Sequence, residues 1–140
     1  MVKNIVVLGS TGSIGTSALK VARDIPERMQ VVALAAGRNR ELLARQAADF
    51  RPRVACIASE ADAGWLRSNV PAGTRVVSGP EGLVEVASMD GADLVLVSIV
   101  GTGGLHPALA AIASGKDIAV ASKEILVMAG EIVMREAGNK

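Results

Sequence analysis

Short apolar runs rich in β-branched residues recur along this chain, and most are followed by a segment with the period of a helix. The runs are Ile5–Leu8, Val31–Ala35, Val54–Ala58, Arg75–Ser78, Asp93–Val97 and Ile118–Ala121. A run such as Ile5-Val6-Val7-Leu8, with no polar interruption, marks a strand covered on both faces. Between the runs, Ile14, Ala18, Val21, Ala22 and Ile25 fall on one helical stripe that Pro26 stops. Leu42, Leu43, Ala47 and Phe50 make a second stripe ending before Pro52. A weaker helix is expected from Glu60 to Val70 and a short one from about Glu81 to Ala87. Pro107 stands where a first helical residue belongs and Gly115 where a C-terminal cap belongs, and Ile125, Met128, Ala129, Ile132 and Val133 form a last stripe. Parallel neighbours need a long return connection, and right-handed returns place helices on either side. The expected fold is therefore α/β: a doubly wound, mostly parallel sheet with helices on both faces.

Composition narrows what such a sheet can serve. With 140 residues the chain suits one compact domain, and with 50% hydrophobic but 1% aromatic residues its core must be aliphatic. Fifteen Lys and Arg against 14 Asp and Glu, a net charge of +1, leave no footprint for nucleic acid or an anionic membrane. The first apolar run breaks at Gly9, too short for a signal peptide, and no segment reaches the roughly 20 apolar residues of a bilayer span. A cytoplasmic protein is the expectation. Cys56 is the lone cysteine, which excludes an intrachain disulfide, and its setting in Val54-Ala55-Cys56-Ile57 reads as a buried strand thiol.

Doubly wound sheets bind ligands beyond the carboxyl ends of their strands, so the residues after each run carry the chemistry. After the first comes Gly9-Ser10-Thr11-Gly12-Ser13-Ile14-Gly15, a G-x-x-G-x-x-G variant of the dinucleotide fingerprint. Gly9 permits a sharp exit from the strand, Gly12 lets a diphosphate approach the backbone, and Gly15 lets the helix pack close to the sheet. The helix start offers unpaired N–H groups and a positive dipole end to phosphate, with hydroxyls from Thr11 and Ser13 beside them. A glycine triplet alone is weak; here it follows an apolar strand and opens an amphipathic helix. The pattern points to a Rossmann-type dinucleotide site.

The second run decides which dinucleotide. An NAD site places an acid there to hold the ribose hydroxyls, whereas this chain has Ala35-Ala36-Gly37-Arg38-Asn39-Arg40 and no acid before Glu41. Arg38 suits a 2′-phosphate through its fork of donors, which favours NADP(H). Asn39 either bonds beside it or caps the next helix. Arg40 is read as a solvated helix residue sooner than a second phosphate contact. After the fifth run, the adjacent Gly103 and Gly104 permit close approach of a cofactor or merely a turn, and His106 reads as a local structural residue. After the sixth, Ala121-Ser122-Lys123-Glu124 puts a cation at the ligand edge; Lys123 is either a substrate contact or a solvated lysine.

Taken together, GSTGSIG, AGRN, IVGTGGL and ASKEILV, in this order and spacing, resemble the N-terminal domain of the 1-deoxy-D-xylulose 5-phosphate reductoisomerase family over essentially the whole chain. The resemblance implies an NADPH-dependent enzyme of non-mevalonate isoprenoid biosynthesis. It would rearrange 1-deoxy-D-xylulose 5-phosphate to a branched aldehyde and reduce that to 2-C-methyl-D-erythritol 4-phosphate with Mg²⁺ or Mn²⁺. Carried over by position, Thr11, Gly12, Ser13 and Ile14 would meet the diphosphate, and Gly37, Arg38 and Asn39 the 2′-phosphate end. Ser122 and Glu124 would line the cofactor, and Lys123 would contact the phosphorylated sugar substrate. Arg38 stands where Lys is commoner, keeping the charge; Ser122 stands where Asn is commoner, with a shorter side chain. The family is longer, its metal ligands follow this region, and it is expected to work as a homodimer. The 140 residues then read as one NADPH-binding domain of a longer enzyme, with no catalytic residue or metal ligand of its own and no turnover alone.

Two other classes share the glycine loop. Short-chain reductases need a Tyr-x-x-x-Lys pair, and this chain has no tyrosine; aldehyde-type enzymes need a cysteine on a loop, and Cys56 reads as mid-strand. A free-standing dinucleotide sensor would need only these residues and a partner surface.

Overall fold

The computed structural model describes residues 2–99 and 103–121. Strands β1 (Lys3–Leu8), β2 (Met29–Ala36), β3 (Val54–Ile57), β4 (Arg75–Ser78), β5 (Leu94–Val97) and β6 (Asp117–Val120) alternate with helices α1 (Ser13–Asp24), α2 (Arg40–Phe50), α3 (Glu60–Arg67), α4 (Gly79–Ala87) and α5 (Leu105–Ala113). The strands form one sheet in the order β4-β3-β2-β1-β5-β6, and every pairing is parallel. The expected doubly wound architecture is what the chain adopts.

Alternation along the central strand sorts the core into two layers. Ile5 and Val7 of β1 join Leu19 and Ala22 of α1, Leu43 of α2 and Leu66 of α3 on one face. Val6 and Leu8 join Val86 of α4 and Ala108, Ala111 and Ile112 of α5 on the other. Successive side chains of a strand point to opposite faces, so a strand with helices on both sides has no position for a polar residue. Ile5 to Leu8 are accordingly 2% exposed or less.

Three sequence expectations need correction. The stripe that packs α1 on the sheet is Gly15, Leu19 and Ala22, while Ile14 and Val21 are 48% and 49% exposed. Ile14-Ala18-Val21 and Gly15-Leu19-Ala22 share one spacing and differ by a single step, about 100° of rotation. The period is the same for both; the backbone contact of Gly15 described below chooses between them. Helix α5 begins at Leu105, two residues before Pro107, which sits in the first turn where an N–H has no intrahelical acceptor anyway. Helix α3 ends at Arg67, short of Val70. The stripe from Ile125 to Val133 lies outside the described residues.

The strand order creates the site. From β1 the chain moves outward through β2 and β3 to β4, and α4 then returns under the sheet to place β5 on the other side of β1. Helices α1 and α5 therefore diverge from neighbouring strand ends and leave an opening there, as at other switch points of doubly wound sheets.

Candidate functional site

The glycine loop after β1 is held by hydrogen bonds with the neighbouring strand ends. Gly9 and Ser10 N–H both donate to the Ala35 carbonyl of β2, at 2.8 and 2.9 Å. Ser98, directly after β5, donates its N–H to the Leu8 carbonyl at 2.9 Å and its hydroxyl to the same carbonyl at 2.7 Å. Gly9 turns the chain with φ +89°, a conformation that side chains disfavour. A Cβ on Gly15 would stand 2.1 Å from the Gly9 carbonyl oxygen, so only glycine lets α1 start this close to the strand. Gly12 differs. A Cβ there would meet only the Gly9 oxygen, at an ordinary 3.5 Å. The protein's own packing does not require glycine at position 12.

Beyond the strand ends lies a cleft of about 680 Å³. Gly9, Thr11 and Gly12 form one wall; Ala35, Ala36, Gly37, Arg38 and Asn39, at the end of β2, form the next. The alanines matter for shape, because larger side chains at the end of β2 would fill the space. Arg38 is exposed and is the one charged residue lining the cleft among the described residues. Asn39 serves as N-cap of α2, its Oδ1 accepting from Leu42 N–H at 3.1 Å, while it also lines the cleft. The cap reading of Asn39 is what the structure shows, and the cap leaves its amide NH₂ unused.

Ser13 and Ile14 open α1 outside the cleft lining, and the Ile14 side chain faces solvent. What they direct toward the loop is backbone: the first N–H groups of a helix have no intrahelical acceptor. Arg40 is engaged elsewhere and does not line the cleft. Its guanidinium reaches Asp62 at 3.4 Å and Glu41 at 3.3 Å and stacks 4.6 Å from the Trp65 ring centre. His106 lies within α5 and does not line the cleft. Ser122, Lys123 and Glu124 lie outside the described residues.

The far end of the cleft was missed in the sequence. Ile57 at the end of β3 and Ala58 after it, Gly79 and Pro80 after β4, Leu83 of α4 and Ile99 give an apolar slot beyond Arg38. The Gly79-Pro80 dipeptide is a turn signal in its own right, and Gly79 takes φ +74°. Nothing local says that this turn reaches the glycine loop; the sheet order does. Cys56 forms part of the floor, 2% exposed. Burial, with the Glu85 charge adding to it, pushes its thiol up from 9.0 to about 11. Because the thiolate is the nucleophile, alkylation of Cys56 at pH 8 is expected to run about a hundredfold or more slower in the native chain than in urea. Equal rates by mass spectrometry would show the floor to be open.

Among the described residues no group of three His, Cys, Asp or Glu could hold a metal ion, and no helix is long and apolar enough to cross a membrane.

Comparison with known proteins places this geometry. A 1-deoxy-D-xylulose 5-phosphate reductoisomerase of Synechococcus sp. (strain CC9311) is 51% identical over 143 aligned positions, covering 96% of this chain and 34% of that protein. One of Anaeromyxobacter sp. (strain K) is 48% identical, covering 99% of this chain and 35% of its own length. The chain thus spans about a third of these relatives. Among solved structures, the Zymomonas mobilis reductoisomerase in complex with NADPH superposes with a TM-score of 0.92 at 37% identity, over 99% of this chain and 37% of that one. A reductoisomerase in complex with NADPH, fosmidomycin and magnesium gives 0.92 at 38% identity, over 99% and 34%. A biliverdin reductase at 18% identity and a TM-score of 0.60 shares the fold alone. The family model for 1-deoxy-D-xylulose 5-phosphate reductoisomerase matches residues 5–130, and the chain belongs to that family.

Proposed function

We propose that residues 1–140 are the NADPH-binding domain of a longer reductoisomerase, and that the cleft at the strand ends is the nucleotide seat. One observation carries this reading. A single cleft joins the glycine turn to Arg38, its one charged wall residue among those described. A dinucleotide phosphate needs both features, a bare backbone for its diphosphate and a cation for its 2′-phosphate.

In this reading Thr11, Gly12, Ser13 and Ile14 meet the diphosphate, mainly through backbone N–H groups at the start of α1. Gly37 and Asn39 border the ribose, and Arg38 pairs with the 2′-phosphate. The apolar slot of Ala58, Pro80 and Leu83 takes the adenine, whose flat apolar face suits it. NADPH, when bound, supplies the hydride that reduces the aldehyde formed from 1-deoxy-D-xylulose 5-phosphate. Ser122 and Glu124 border the cofactor and Lys123 contacts the sugar phosphate. Mg²⁺ or Mn²⁺ takes its ligands from outside these 140 residues, and the complete enzyme is a cytoplasmic homodimer. The part described here binds and orients; it does not turn over.

Titration of the chain with NADPH and NADH tests the reading. Arg38→Ala is expected to weaken NADPH by about 10- to 100-fold, the size of a lost charge-assisted bond of about 1.5–3 kcal/mol, and to leave NADH within twofold. Equal losses for both would remove Arg38 as the discriminator. Absence of binding by wild type would remove the proposal.

A further inference from the structure

Helix α2 sends one polar side chain inward. Gln46 is 6% exposed, and its Nε2 donates to the Ser10 carbonyl at 2.9 Å, linking residues 36 positions apart. Its Oε1 and the neighbouring Ser10 hydroxyl are both buried without a hydrogen-bond partner. An acceptor and a hydroxyl in that state cost folding free energy, which offsets part of what the bond to the buried Ser10 carbonyl contributes. The one hydrogen bond the amide makes goes to the glycine loop.

The loop's own hydrogen bonds suggest what it does. Gly9 and Ser10 N–H go to Ala35, and Gly12 N–H goes to the Gly9 carbonyl at 3.2 Å. Thr11 N–H is the one amide between positions 9 and 12 that no hydrogen bond among the described residues uses. A trans peptide is planar, and its C=O and N–H point in opposite directions. Holding the Ser10 oxygen on Gln46 therefore turns the Thr11 N–H of the same peptide away from α2, and Thr11 lines the cleft.

We propose that Gln46 is a positioning residue for nucleotide binding, which presets the Ser10–Thr11 peptide so that the Thr11 amide donates to the diphosphate. Gln46 also ties the glycine turn to the helix that Asn39 caps and Arg38 precedes, so the diphosphate and 2′-phosphate ends are held in one frame. The inference rests on the nucleotide reading above, and its test separates the two.

Gln46→Met keeps the side-chain length and removes the donor and the orphaned oxygen together. The variant exchanges the orphaned Oε1 for an unpaired Ser10 carbonyl, so it is expected to stay folded with a melting temperature somewhat below wild type, and to bind NADPH and NADH about tenfold more weakly, with their ratio unchanged because both carry the diphosphate. A merely structural Gln46 would move stability and leave binding of the folded chain alone. In the ¹⁵N-labelled wild-type chain, which needs no substitution, the Thr11 amide resonance is expected to shift on adding NADPH, and the Gln46 side-chain NH₂ to be protected from exchange. Wild-type affinity in folded Gln46→Met, or a Thr11 amide that ignores NADPH, would overturn this inference alone. A wild-type chain that binds neither nucleotide overturns the function reading and this one with it.

Discussion

Gly15→Ala is expected to destabilise the chain by about 3 kcal/mol or more, although it adds only one methyl group. The added Cβ would lie 2.1 Å from the Gly9 carbonyl oxygen, 2.7 Å from the Ser10 Cα and 2.9 Å from the Gly9 carbonyl carbon. All three are backbone atoms, so no side chain can rotate aside. Relief requires α1 to lift from the sheet, which uncovers Leu19 and Ala22. Alanine's better helix propensity returns about 1 kcal/mol, too little to reverse the sign. Against a total stability of about 5–15 kcal/mol, the urea midpoint should fall clearly. A midpoint equal to wild type would mean that α1 is not pressed against the loop as described.

Gly12→Val should do the opposite. Gly12 is the N-cap of α1 at φ −81° and ψ 175°, an extended conformation that valine adopts readily, and the Cβ has room. The loss of stability should stay near 1 kcal/mol, the cost of a poorer cap. Nucleotide affinity is another matter, because the branched side chain occupies the path to the loop amides. NADPH and NADH are both expected to bind at least about a hundredfold more weakly, roughly 2.7 kcal/mol. Calorimetric titration beside a melting curve separates these effects. Retained affinity in a folded Gly12→Val chain would place the diphosphate elsewhere. Arg38→Ala should touch NADPH alone and Gln46→Met both nucleotides, so the set distinguishes the two ends of the cleft.

Much of this molecule can be read along the chain because its signals are local. Short apolar runs rich in β-branched residues, such as Ile5–Leu8, mark strands covered on both faces, since neither face then has a place for a polar residue. The same holds for Gly9-Ser10-Thr11-Gly12, whose turn conformation follows from its own residue types, and for Asn39 as a cap three residues before Leu42. Arg38 could be preferred to Arg40 only on position; the structure adds that Arg38 lines the cleft while Asp62 and Trp65, both on α3, engage Arg40.

What depended on distance in the chain was not legible. Which stripe of α1 faces inward, which side of β1 receives β5, that Gly79 and Pro80 reach the cleft, and that Gln46 meets Ser10 were all decided by tertiary packing. The physical reason is common to all four. Hydrophobic period and turn chemistry act over a few residues and are blind to strand order. The cleft exists only because α4 carries the chain back across the sheet, and contacts between segments 36 or 90 positions apart acquire their energy only after that crossing is made.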